Sequence, residues 1–322
     1  MYKIYDKWPE IARESFESEQ KPIDFQNIDH IVFGGMGGSG AIGDMFQSIL
    51  SKTKIHVNVV KGYTLPETVN SNTIVIIISV SGNTDETLHL LKSAKKICSN
   101  IIAFSSGGKI QEYCIKNNIK FIPVPKFHSP RATFPSFLYT ILKVLYQTLE
   151  IKEEDIIDSI KKLENLQKII NSSNLTDSNT SLNLAKSIKS NPIIYYPLGL
   201  QSASIRFKNS LQENAKMHAA SEDIIEASHN GIVSWERKSN VIPILIRGSG
   251  DHIKTKERYK ILKVFFIKKK INYEEIISVE GNILSKLITL IYLLDYATIY
   301  KAVIDNIDPS PVNAINFIKN KL

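Results

Sequence analysis

Two glycine- and hydroxyl-rich loops, each following directly on an apolar run, constrain this chain more than any other feature. Gly34-Gly35-Met36-Gly37-Gly38-Ser39-Gly40 comes straight after His30-Ile31-Val32-Phe33, and Ser79-Val80-Ser81-Gly82-Asn83-Thr84 straight after Thr73-Ile74-Val75-Ile76-Ile77-Ile78. A short apolar run that ends in such a loop reads as a buried strand delivering the loop to the edge of a sheet. Glycine lets backbone N–H groups come close to an anion, and serine and threonine hydroxyls add further donors. Neither loop contains a lysine. Together they imply a pocket for one small phosphorylated molecule.

Nucleotides fit less well. Gly35-x-Gly37-x-x-Gly40 has the spacing of a dinucleotide fingerprint, but that site also needs an acid at the end of the second strand to hold the ribose. Here that strand ends Val59-Val60-Lys61-Gly62. A triphosphate loop needs Lys-Ser or Lys-Thr after its glycines, and neither loop has it. A monophosphate fits: Ser79, Ser81 and Thr84 lie at the carboxyl end of a strand, with Thr84 just before a helix that starts near Asp85. Free N–H groups and the positive end of the helix dipole then face the anion. The plainer alternative is that Ser-Gly-Asn-Thr is only an N-capping turn.

Strand-like runs alternate with helical patterns from residue 30 onward, the signature of an α/β fold whose parallel sheet is flanked by helices. The strands expected in the first half are Ile31–Gly34, Ile55–Val60, Ile74–Ser79, Ile101–Ser105 and Lys120–Pro123. Asp85–Cys98 reads as an amphipathic helix with Leu88, Leu91, Ala94 and Ile97 on one face, and Ser136–Leu149 as another, with Phe137, Leu138, Ile141, Leu142 and Leu145 together. Residues 151–184 are polar and read as a helical, then loop-like, connection between a first domain (1–150) and a second (185–322). In the second, Pro192–Gly199 echoes the first strand and loop, and Asn240–Gly250 echoes Ile74–Gly82. The chain is thus expected to be an approximate internal duplication of two subdomains, the second lacking the full glycine loop.

Length and composition agree with a two-domain globular protein: 322 residues, 43% hydrophobic and 22% charged. No uninterrupted apolar stretch reaches the roughly 18 residues of a membrane span. The first residues carry acid and no apolar core, unlike a signal peptide. Cys98 and Cys114 have no metal-ligand spacing and read as reduced, buried thiols of a cytoplasmic protein. The net charge of +8 comes from scattered lysines, and the densest run, Lys268-Lys269-Lys270, reads as a solvated turn. No nucleic-acid or membrane partner is expected, although a basic balance also suits an anionic small substrate.

Ser79-x-Ser81-Gly82-Asn83-Thr84-x-Glu86-Thr87 resembles the phosphosugar-binding signature of sugar isomerase (SIS) domains. Together with the first glycine loop, Pro130-Arg131-Ala132, Glu213-Asn214-Ala215-Lys216 and Ser228-His229-Asn230, it resembles the bifunctional phosphoglucose/phosphomannose isomerase family along nearly the whole chain. The resemblance implies two SIS-type subdomains and an aldose–ketose isomerisation through a cis-enediol. Glu213 is then the base that moves a proton between C1 and C2. His229 and Lys319 open the sugar ring, and Arg131 steadies charge on the enediolate. Gly38, Ser39, Ser79, Ser81 and Thr84 anchor the phosphate, with Arg131, His229 and Lys319 also touching substrate. No cofactor and no metal are implied. A homodimer is implied, with His229 reaching the neighbouring subunit's site.

Taken alone, these residues say less. A helical glutamate such as Glu213 is ordinarily a solvated surface residue, His229 an incidental loop histidine, and Arg131 a surface arginine. Lys319 shares its tail with Lys321, near a chain end of the kind that often frays. His218, expected on the same helix as Glu213, is poorly spaced to share its face, and neither His218 nor His252 belongs to a zinc-type cluster. Val80, between the two serines, departs from many family members and should point away from the phosphate. Two other functions use the same fold: a non-catalytic sugar-phosphate sensor, and an amino-sugar phosphate isomerase. The residues that would separate glucose from mannose at C2 have no recognisable pattern.

Overall fold

A computed structural model of the chain describes residues 1–321. The chain divides into two compact units, Asp6–Glu164, and Met1–Tyr5 with the chain from Asn165 onward. After the single turn α1 (Tyr2–Tyr5), the first unit runs α2 (Trp8–Phe16), β1 (His30–Gly34), α3 (Gly38–Leu50), β2 (His56–Val60), β3 (Thr73–Ser79), α4 (Asp85–Ile97), β4 (Ile101–Ser105), α5 (Gly108–Lys116), β5 (Lys120–Pro123) and α6 (Phe134–Leu145). It ends inside α7 (Glu153–Ile170).

The five strands of this unit are all parallel, in the order β2-β1-β3-β4-β5. β1, β3 and β4 are buried along their whole lengths, as parallel strands must be when helices cover both faces. From β1 the chain moves outward to β2, then returns to the other side of β1 to lay down β3. The strand order therefore reverses between β1 and β3, which pair from His30 opposite Thr73 to Gly34 opposite Ile77. Both glycine- and hydroxyl-rich loops leave the carboxyl ends of these two neighbours. That crevice is where open α/β sheets bind ligands.

The second unit contains α8 (Thr180–Ser187), β6 (Asn191–Tyr196), α9 (Gln201–Asn214), β7 (Ala220–Asp223), α10 (Ile224–Ala227), a 3-10 helix at Gly231–Glu236, β8 (Val241–Arg247), α11 (Ile253–Lys268), β9 (Glu274–Ile277), α12 (Ile283–Ile304) and α13 (Asn313–Lys319). Its parallel sheet has the order β7-β6-β8-β9, which matches β2-β1-β3-β4 term by term, with no fifth strand among the described residues. The loop after β8 occupies the place of the loop after β3. There Gly248 N–H donates to Asp251 Oδ2 at 2.8 Å.

Three expectations are adjusted. α4 buries Thr87, Leu90, Leu91 and Ala94, so its inner face is rotated from the expected one: Leu88 is half-buried and Ile97 is 55% exposed. Cys98 is the residue that ends this helix rather than part of it, and α6 starts at Phe134 and stops at Leu145. Both thiols are buried, and burial pushes Cys114 up to about 11. The largest omission is α12, whose 22 residues are long and apolar enough to cross a membrane by length and composition. It is nonetheless mostly buried within its own unit, against α8 and α9. A helix enclosed on all sides has no polar face, so it carries no amphipathic signal.

Candidate active site

In the first unit the loop after β1 turns through Gly37, at φ +53°, into the first turn of α3. No side chain caps this helix. Gly38 lies against the segment before α6: a Cβ there would stand 3.3 Å from the Pro130 carbonyl oxygen. The structure thus brings the first glycine loop and the Pro130-Arg131-Ala132 segment together. That segment is firmly held. Thr133 Oγ1 donates to the carbonyls of Ser129 (2.8 Å) and Phe127 (3.2 Å), and the Trp8 indole donates to the Ala132 carbonyl (3.0 Å). Arg131 is only 4% exposed, so the plainer alternative of a surface arginine does not describe it. Lys61, where a ribose-binding acid would stand, pairs with Asp44 of α3 at 2.6 Å and packs its stem over Gly40.

The loop after β3 is built around its hydroxyls. Ser79 Oγ donates to Thr84 Oγ1 (3.2 Å) and accepts from Gly82 N–H (3.1 Å), and Ser81 Oγ accepts from Asn83 N–H (3.2 Å). Asn83 ties the loop to α5, its Oδ1 accepting from Lys109 N–H at 3.1 Å. Gly82 is obligatory twice over: its φ is +68°, and a Cβ there would sit 1.6 Å from the Gly107 carbonyl oxygen. Thr84 occupies the N-cap position of α4, yet its side chain makes no capping bond. A plain capping turn therefore does not describe this loop. The donors of the first turn of α4 are left without a side-chain partner at the mouth of the crevice.

In the second unit Glu213 stands in the last turn of α9, half-buried. A polar stripe one helical turn apart sets that turn against α12. Arg206 reaches Asp295 Oδ2 (2.6 Å), Ser210 Oγ donates to Asp295 Oδ1 (2.7 Å), and Asn214 Nδ2 donates to Thr298 Oγ1 (2.7 Å). All five side chains are buried. Beyond the helix, Lys216 Nζ donates to the carbonyls of Glu213 (2.5 Å) and Pro311 (2.7 Å). This fastens the turn of Glu213 to the segment that leads into α13, whose last residue is Lys319. Lys319 is exposed, and α13 buries none of its side chains.

His229 follows α10 and is exposed, its imidazole without a partner among the described residues. Its backbone is fixed: His229 N–H donates to Glu226 O (2.8 Å), Asn230 Nδ2 donates to Glu226 Oε1 (2.7 Å), and Asp223 Oδ1 caps α10. The carboxylate of Glu222 lies close by, since a Cβ on Gly231 would meet it at 2.6 Å. Burial, then Glu226 and Asp223, raise the Glu222 carboxyl above its usual range. His218 lies past the end of α9, not on it, and the His252 ring caps α11 by accepting from Lys254 N–H (3.2 Å). Among the described residues no group of three or more His, Cys, Asp or Glu side chains converges as a metal site. Sequence reasoning missed Arg206, Ser210, Asp295 and Lys216. Only Lys216 carried a local signal, its place inside the Glu213–Lys216 motif.

Comparison with known proteins gives this geometry its context. Residues 24–141 match the SIS domain, and residues 177–322 match the bacterial phospho-glucose isomerase C-terminal SIS domain. A bifunctional phosphoglucose/phosphomannose isomerase of Caldicellulosiruptor bescii is 30% identical over all of this chain and 98% of its own length. A D-glucosamine-6-phosphate 4-epimerase of Sulfolobus acidocaldarius is 28% identical over 76% of this chain and 77% of its own. Among solved structures, tagatose-6-phosphate ketose/aldose isomerase from Escherichia coli shares the fold, with a TM-score of 0.71 at 16% identity over 96% of this chain and 94% of that one. With a 30% identical relative matched from end to end, the chain belongs to the bifunctional phosphoglucose/phosphomannose isomerase family.

Proposed function

We propose that this protein interconverts glucose 6-phosphate and mannose 6-phosphate with fructose 6-phosphate through a cis-enediol. The observation that carries the reading is the full-length match to a bifunctional phosphoglucose/phosphomannose isomerase. The uncapped, hydroxyl-lined loop after β3 supports it, because that loop offers donors to a phosphate monoester. Gly38, Ser39, Ser79, Ser81 and Thr84 hold the phosphate, and Arg131 supplies fixed positive charge for the enediolate.

His229 and Lys319 pass the protons that open the ring. Glu213 then takes the proton from C2 of the open aldose while the C1 carbonyl oxygen gains one, giving the cis-enediol. Return of the carbon-bound proton to C1, with loss of the O2 proton, gives the ketose. Atoms and electrons balance without an oxidant or reductant. Glucose and mannose 6-phosphates differ only in configuration at C2, and the enediol is planar there. One base on one face, with rotation of the substrate about the C2–C3 bond, therefore serves both epimers.

A coupled assay of the purified protein with each aldose phosphate tests this, with and without EDTA. Turnover of both, unchanged by chelator, is expected. Turnover of one alone would narrow the function to a single isomerase. Activity on glucosamine 6-phosphate in place of both would move the chain to the amino-sugar reading that the epimerase relative represents.

A further inference from the structure

The second unit contains a cleft of about 1090 Å³ that the isomerase reading does not use. It opens at the amino-terminal edge of the sheet, lined by Ser190 before β6, Val241 at the start of β8 and Glu274 at the start of β9. None of Glu213, His229 or Lys319 lines it. Three separate segments bring cations to it: Lys189, Arg237 with Lys238, and Lys269 with Lys270 beyond the end of α11. Glu236 and Glu274 are the two acids on its wall.

Some cations of the same unit are already neutralised. Arg206, Arg247, Lys254, Lys263 and Lys301 each stand within ion-pair distance of a carboxylate. None of the five in the cleft does among the described residues; Lys269 lies over the Phe265 ring instead. Charges of one sign gathered around a concave surface focus their field into it and attract a counter-ion of matching valence. The volume is slightly above the usual range of about 300–1,000 Å³ for small-ligand pockets and larger than a single phosphate needs. Part of the wall is rigid and aromatic: the Trp235 indole donates to Tyr195 OH (2.8 Å) and packs edge-on to Phe266, and Tyr273 flanks it.

We propose that this cleft binds a small molecule carrying two or more linked phosphates. The Lys268–Lys270 run then has a function that its sequence context does not show: Lys269 and Lys270 complete a binding wall with residues far away in the chain. The phosphate chain lies among the five cations, and the Trp235–Tyr273 side accommodates whatever organic part it bears. The site is independent of the loops in the first unit, which are built for a single phosphate.

Isothermal titration of the full chain with inorganic tripolyphosphate at low salt tests the proposal, with orthophosphate as comparison. Saturable binding is expected, with orthophosphate at least about tenfold weaker. The double variant Lys238→Glu/Lys270→Glu should weaken tripolyphosphate by about tenfold or more while leaving Tm and basal isomerase activity unchanged. If that variant does not fold, Arg237→Gln/Lys269→Gln serves in its place. Ser79→Ala/Ser81→Ala should leave tripolyphosphate binding intact. Absence of saturable heat, equal affinity in the charge-altered variant, or loss of binding in the serine variant would each overturn the assignment. Because the readout is binding, it stands or falls apart from the isomerase assay.

Discussion

At the scale of single residues, Gly82 and Glu213 make opposite demands. A methyl group on Gly82 meets the Gly107 carbonyl at 1.6 Å in a backbone conformation that already disfavours it. Gly82→Ala is therefore expected to cost about 3 kcal/mol or more and to abolish turnover with it, read as a fall in both Tm and kcat. Glu213→Gln keeps the shape of the side chain and removes only its basicity. It should lower kcat by about a thousandfold, with Tm unchanged and KM little altered. Wild-type rates in that variant would end the proton-transfer mechanism. The two residues also differ in legibility. The glycine stands in a loop whose hydroxyls and flanking strand announce an anion, whereas nothing local separates Glu213 from any solvated glutamate, and only the motif around it does. Arg131 lies between the two: its motif marks it, but its burial does not show in the sequence, because the indole of Trp8 and the hydroxyl of Thr133 that hold its loop are not connected by sequence spacing.

At the scale of elements, α9 and α12 depend on one buried ion pair. Asp295 is fully buried and accepts from Arg206 and Ser210. Removing one partner strands a charge, so Asp295→Ala should cost about 3–5 kcal/mol by urea unfolding. Arg206→Met combined with Asp295→Leu should recover most of that loss, because well-packed apolar replacements remove the desolvation penalty of both ions. No recovery in the double variant would show that the pair itself, rather than the stranded charge, sets stability. A second network titrates. Burial alone would raise the Glu275 carboxyl, but hydrogen bonds from Arg247 and Lys263 hold it below its usual range. The unfolded chain then binds the proton more readily than the folded one, and stability from this group is complete above the ordinary value of about 4.5. It is lost as pH falls through the lowered value. Glu275→Gln should flatten that part of the acid limb in a pH series of urea midpoints, and an unaltered slope would show that the pairing contributes nothing. The central strands β1, β3 and β4 were readable to within a residue because β-runs buried on both faces are continuous. α12 was not, for the related reason that a helix apolar all round has no period.

At the scale of the whole molecule, the order of elements carried more than local similarity did. The two halves share little sequence, yet β2-β1-β3-β4 and β7-β6-β8-β9 follow one plan. The doubling was legible because alternation of strand and helix survives the drift of individual residues. Assembly leaves no such trace in one chain. If His229 acts in the site of a neighbouring copy, mixing inactive Glu213→Gln and His229→Ala proteins should restore up to about a quarter of the wild-type rate per site in randomly exchanged dimers, since half the dimers are mixed and each holds one intact site. Mixtures that stay inactive after subunit exchange would place both residues in the same chain's site.

The loop after β8 has a bearing on stoichiometry. Where its counterpart after β3 presents hydroxyls, this one directs the carboxylate of Asp251 onto the N–H of Gly248. The second half thus carries an anion of its own in the place where the first receives one from outside. A chain with two copies of the fold should therefore take up a single equivalent of fructose 6-phosphate.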